Sequence, residues 1–167
     1  MKAISDADVR DDPSVLQRAL EAVLDERNAG DVERLMTLAY KYGLSRSWAQ
    51  VLCDLLESDW HHSHETIALA LQDIRQPSTV ACLHRAAERR YAYLDYDDSA
   101  ALARKCIWAL HDIGTPDAIE ALKSLAERSS EPRACYARKR LKQIAQRPPD
   151  SPPEPYRVAR DRNVRPR

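Results

Sequence analysis

Apolar residues along most of the chain recur at i, i+3, i+4 and i+7, the spacing of one buried helix face. Leu16, Ala19, Leu20 and Val23 set this pattern first, in a helix opened by Asp12-Pro13 and closed by Asn28-Ala-Gly30. A second helix has Asp31 as its N-cap, buries Leu35, Leu38 and Ala39, and stops at Gly43. The third, over 45–58, carries Trp48, Val51, Leu52 and Leu55; others follow over 63–74, 77–90, 99–113, 116–128 and 131–146. Period-two alternation nowhere persists long enough for a strand, so the predicted body is all helical. Pro13, Pro77, Pro116 and Pro132 stand at predicted helix starts, where a missing N–H has no helical partner to lose.

The chain also repeats itself. Shifting LQDIRQPSTVACLHRAAER, from Leu71, by 39 residues aligns it with LHDIGTPDAIEALKSLAER, from Leu110. Leu71/Leu110, Asp73/Asp112, Ile74/Ile113, Pro77/Pro116, Leu83/Leu122, Ala87/Ala126, Glu88/Glu127 and Arg89/Arg128 are identical pairs. Upstream, Ile67 and Ala70 align with Cys106 and Ala109, and Ala103-Arg104-Lys105 is echoed by Ala137-Arg138-Lys139. Repetition of a helix pair at this period predicts a stacked solenoid, each unit burying its apolar face against its neighbours. The expected fold is therefore a right-handed α-solenoid of about eight antiparallel helices over 1–146.

Asp112-Ile-Gly-Thr-Pro-Asp-Ala118 between two such helices resembles a HEAT repeat of the short type found in phycobilin-lyase-like proteins; the likeness covers roughly 63–146. Asp59-Trp-His-His-Ser-His-Glu65, Tyr93-Leu-Asp-Tyr-Asp-Asp98 and Ala103-Arg-Lys-Cys-Ile-Trp-Ala-Leu110 together resemble small bacterial HEAT-repeat proteins that include proposed immunity proteins of polymorphic toxin systems. That resemblance implies a non-catalytic protein that binds and neutralises a toxin domain.

Composition narrows the function classes. Three isolated glycines (Gly30, Gly43, Gly114) cannot write a Gly-rich phosphate loop. The 26 Lys/Arg balance the 26 Asp/Glu, but the balance is uneven: 1–146 carries a net charge of −3 and 147–167 one of +3. The second segment, RPPDSPPEPYRVARDRNVRPR, holds six of the ten prolines and reads as a disordered, partly extended, solvated tail. No apolar run reaches the roughly 18 residues of a membrane span, and the acidic start MKAISDADVRDD lacks the apolar stretch of a signal peptide; the expected location is the cytoplasm. Arg89-Arg90, Arg104-Lys105 and Arg138-Lys139-Arg140 are interleaved with acids, so they read as solvated helical faces rather than a nucleic-acid stripe.

Three constellations remain. His61, His62 and His64 with Glu65 suggest a metal site, and deoxyhypusine hydroxylase, a HEAT-repeat enzyme, binds iron through repeated His-Glu pairs. Here the 39-residue shift carries His64-Glu65 onto Ala103-Arg104, so the pair stands alone; Ser63 capping a helix whose first turn holds Glu65 is the plainer account. Cys53, Cys82, Cys106 and Cys135 lie in separate helices without a C-x-x-C, which predicts reduced core thiols. The third constellation is the pair of loops Asp59, Trp60, His61 and Tyr91, Tyr93, Asp95, Tyr96, Asp97, Asp98, which the repeat register places on one edge. Aromatic anchors among carboxylates suit a basic protein partner. Alternatively, Asp98 caps the helix that follows and the tyrosines cover the core. The sequence thus predicts a protein-binding module without catalytic residues or cofactor, with a metal-dependent hydroxylase or lyase-like enzyme and a general scaffold as the other possibilities.

Overall fold

The computed structural model describes residues 4, 6–12 and 14–146; the expectations for Pro13 and for the tail at 147–167 lie outside the described residues. Every regular element among them is helical. They are α1 (Asp6–Asp11), α2 (Ser14–Glu26), α3 (Ala29–Tyr42), α4 (Ala49–Glu57), α5 (His64–Ile74), α6 (Val80–Glu88), α7 (Ala100–Ile113), α8 (Pro116–Arg128) and α9 (Arg133–Ala145). One-turn 3-10 segments at Arg46–Trp48 and Pro77–Thr79 lead into α4 and α6, and a longer one spans Ala92–Asp97.

The helices pack in two rows. In one, α4 lies between α2 and α6, and α6 between α4 and α8; in the other, α7 lies between α5 and α9. Helices one repeat apart, α5 with α7 and α6 with α8, are therefore direct neighbours. Between the rows runs a continuous apolar core from Leu16 and Leu20 through Leu52, Leu55, Ile67 and Leu71 to Leu102, Ile107 and Leu122. Burial of these faces supplies the stability that isolated helices of nine to fourteen residues lack.

Local signals place the breaks. Thr115 Oγ1 accepts the Ala118 N–H with Pro116 at the first helical position of α8. Gly114 ends α7 and Arg75 ends α5 in the same left-handed conformation, φ 65° and 47°. The repeat thus retains a cap geometry where the residue type differs, and Arg75 adopts a φ that favours Gly. At the start of α3 the expected cap gives way to another. Asn28, not Asp31, is the N-cap, its side chain accepting the Gly30 N–H; Asp31 falls in the first turn, near the positive end of the helix dipole, and pairs with Arg34. The expected end at Asn28-Ala-Gly30 is thus the beginning of the next helix.

The cysteine expectation is corrected. Cys53 of α4 and Cys82 of α6 form a disulfide between neighbouring helices of one row, while Cys106 is a buried free thiol and Cys135 an exposed one. The spacing rules applied to the sequence address cysteines close in the chain, whereas these two meet only through the packing of α4 on α6.

Candidate site at the end of helix α4

The last four C=O groups of an α-helix have no helical N–H to accept. Four consecutive carbonyls at and just beyond the end of α4 each accept from a side chain elsewhere, Leu55 O in addition to the Ser58 N–H at 3.0 Å. His61 donates Nε2–H to Leu55 O at 2.8 Å, and Tyr91 Oη donates to Leu56 O at 2.6 Å. The Arg89 guanidinium donates to Glu57 O, and His64 donates Nε2–H to Ser58 O at 2.7 Å. Residues that look like chemistry in the sequence therefore form a composite helix cap.

The two histidines are fully buried, each 0% exposed, and their rings stack at 4.4 Å between centroids. Their remaining nitrogens accept. His61 Nδ1 takes the Ser63 N–H at 3.1 Å, and His64 Nδ1 takes the Tyr93 O–H at 2.8 Å. With donors facing both Nδ1 atoms and carbonyls facing both Nε2 atoms, each ring is held as the neutral Nε2–H tautomer. Burial in this apolar surround disfavours the imidazolium, depressing His61 and bringing His64 down to about 4. All four ring nitrogens are thus engaged within the protein, and no group of three or more His, Cys, Asp or Glu is arranged to hold a metal among the described residues.

The two loops meet through these rings. Tyr91 packs on His64 at 3.8 Å, Tyr93 stacks on His62 at 4.3 Å, and Trp60 meets His61 edge-on at 5.0 Å. Tyr91 is buried and Tyr93 and Trp60 half-buried; burial carries the Tyr91 and Tyr93 phenols to about 12, so both remain protonated donors. Asp97 Oδ2 accepts the Ala101 N–H in the first turn of α7. Asp98 pairs with Arg90 at 2.9 Å, while its backbone carbonyl accepts from Arg133. Among the described residues, Asp97 rather than Asp98 has the carboxylate that engages the start of α7.

Of the nine positions singled out in the sequence, His61, Tyr91 and Asp97 thus serve the scaffold, with Trp60 and Tyr93 packed partly against it. Asp59, Asp95, Tyr96 and Asp98 face solvent, and Tyr96 is 76% exposed. His62 is exposed beside them, and Glu65 is half-buried and paired with Lys105 of α7. Sequence reasoning missed Arg133, only 3% exposed, which donates Nε–H to Ala87 O at 3.0 Å as well as to Asp98 O. An Arg beginning a helix next to Pro132 gives no sign in sequence that it reaches across to α6. Beside His62 a cleft of about 330 Å³ opens between the starts of α3 and α5, lined by Ala29, Gly30, Glu33, Ser63 and Thr66.

Comparison with protein-family models, curated proteins and solved structures gives no match. No helix is long and apolar enough to cross a membrane among the described residues.

Proposed function

We propose that the chain is a short HEAT-like, right-handed solenoid that works without catalysis, by binding another protein through the edge formed by Asp59, His62, Asp95 and Tyr96. The observation that carries this reading is Tyr96, a large aromatic 76% exposed on a segment whose flanking residues Tyr91, Tyr93 and Asp97 are each held by a hydrogen bond to another part of the fold. A pre-positioned aromatic loses little conformational entropy on docking and supplies the apolar anchor of an interface. The carboxylates around it favour a partner with a basic surface and speed its encounter.

The sharper form of the proposal, immunity toward a co-encoded toxin domain, rests on the resemblance of 59–65, 93–98 and 103–110 to HEAT-repeat immunity proteins. It takes the chain to act in the cytoplasm, and the Cys53–Cys82 bridge is the observation that weighs against that compartment.

The test is co-expression with the toxin domain encoded beside this chain. Growth is rescued and the two proteins co-purify, and the double variant Asp95→Lys, Tyr96→Ala lowers affinity at least tenfold with helicity unchanged. Undiminished affinity in that variant counts against this surface. Absence of any rescue by the wild-type chain counts against immunity.

A further inference from the structure

The row formed by α5, α7 and α9 carries a second surface of different character. Trp108 of α7 is half-buried, with the Arg140 guanidinium 4.6 Å and the Arg104 guanidinium 5.5 Å from its ring centroid. Neither arginine has a carboxylate at ion-pair distance among the described residues; Arg140 bonds Gln143 Oε1, and Arg104 only covers the indole. Asp112 is the carboxylate whose field reaches Arg140, but it already serves Arg75, Gln72 and His111. The Trp108 indole N–H has no acceptor among the described residues. The face therefore combines an aromatic plane, a free N–H donor and two cations short of counter-charge. A proline-rich strand carrying carboxylates matches all three, since prolines pack on aromatic rings while their carbonyls remain free to accept.

A segment of that composition follows α9 in the sequence. Residues 148–156 read PPDSPPEPY, with five prolines, Asp150 and Glu154, and a net charge of −2; residues 157–167 carry +4. Taken as one segment, 147–167 is basic, which hides this division. Proline-rich chain can advance about 3.1 Å per residue, so the four positions from Gln146 to Asp150 can span about 12 Å and the eight to Glu154 about 25 Å. Arg140 lies about 9 Å back along α9 at 1.5 Å per residue, within range of both. We propose that Arg104, Trp108 and Arg140 form a docking face for an acidic proline-rich peptide, and that residues 148–156 of the same chain occupy it. Prolines of this segment pack on the indole and accept its N–H through a carbonyl, and Asp150 and Glu154 pair with the two guanidinium groups.

The full chain tests this. A nitroxide is placed on Ser151→Cys in a Cys135→Ser background, and the three indole N–H signals of the ¹⁵N-labelled protein are recorded before and after the label is reduced; Trp108→Phe identifies the relevant signal. The expected result is that the label lowers the Trp108 intensity to less than half, and that Asp150→Lys with Glu154→Lys restores it. Trp108 broadening no greater than that of Trp48 and Trp60, or broadening that survives the double charge reversal, overturns the proposal. Equal mixtures of labelled and ¹⁵N chains separate the remaining occupant: broadening in the mixture as strong as within one chain means that a second copy sits on the face, which also overturns it.

Discussion

His61 and His64 stack at 4.4 Å, and each sends its Nε2–H to a backbone carbonyl while a donor faces its Nδ1. Neither bond to Nδ1 survives unchanged when that atom gains a proton. Tyr93 can rotate its hydroxyl to become an acceptor for His64, but the Ser63 N–H cannot reverse for His61. Protonation is therefore resisted by geometry as well as by burial.

This resistance gives the fold an acid dependence of definite sign. Both histidines have folded-state values below the ordinary 6.5, His64 at about 4, so the unfolded chain binds their protons first on acidification. Their contribution is fully present above pH 6.5 and is lost as pH falls toward 4. His64 alone accounts for about 3 kcal/mol over that window. Urea midpoints measured from pH 7.5 to 4 fall accordingly. A chain whose midpoint stays level between pH 7 and 5 would show that the buried rings accept protons freely.

The two exposed-loop tyrosines separate into different roles. Tyr93→Phe removes the hydroxyl that His64 Nδ1 accepts from and costs about 1–2 kcal/mol of stability. Tyr96→Phe or Tyr96→Ala, at a side chain 76% exposed, changes stability by less than about 0.5 kcal/mol. Chemical denaturation of the three variants beside wild type checks the contrast, and equal costs at both positions would contradict it.

Arg133 ties α9 to the end of α6 and to Asp98 through two backbone carbonyls. Replacing it with Leu leaves those carbonyls without their donor and costs about 2–4 kcal/mol. Arg138→Leu removes an ion pair with Glu131 and a bond to Ala126 O, both exposed so that water takes their place, and costs less than about 1 kcal/mol. Thermal melts of both variants give the order.

Thiol titration reads the cysteine arrangement directly. Unfolded without reductant, the chain exposes two thiols, Cys106 and Cys135; after reduction it exposes four. In the folded chain Cys135 reacts first because Cys106 is buried. The bridge closes a loop spanning 29 positions, and its reduction costs about 2–4 kcal/mol. Four thiols in chain alkylated at the moment of cell lysis would show that the bridge is open where the protein works.

Several boundaries are legible in the sequence because their chemistry is local. Thr115-Pro116 starts α8, Gly114 and Gly43 end helices, and the 39-residue repeat identifies α5 with α7 and α6 with α8. The two loops expected to lie near one another are in contact through Tyr91 on His64 and Tyr93 on His62. What was not legible depends on groups distant in sequence. Cys53 and Cys82 are 29 positions apart, Arg133 reaches Ala87 and Asp98, and His64 finds Tyr93 across 29 residues. The Asn28 cap is hidden for another reason: Asn28 and Gly30 suit the end of a helix as well as its beginning, and Asp31 is as good an N-cap residue as Asn28.

The composite cap on α4 also changes how the molecule comes apart. Helix ends ordinarily fray first, one carbonyl at a time, at little cost. Here the carbonyls of Leu55, Leu56, Glu57 and Ser58 are held by side chains from the loop into α5, from the end of α6 and from the segment before α7. Releasing the final turn of α4 therefore breaks contacts to all three at once. The middle of the chain opens as a single cooperative unit, in which amides of 55–58 and 91–94 exchange with solvent at one shared rate.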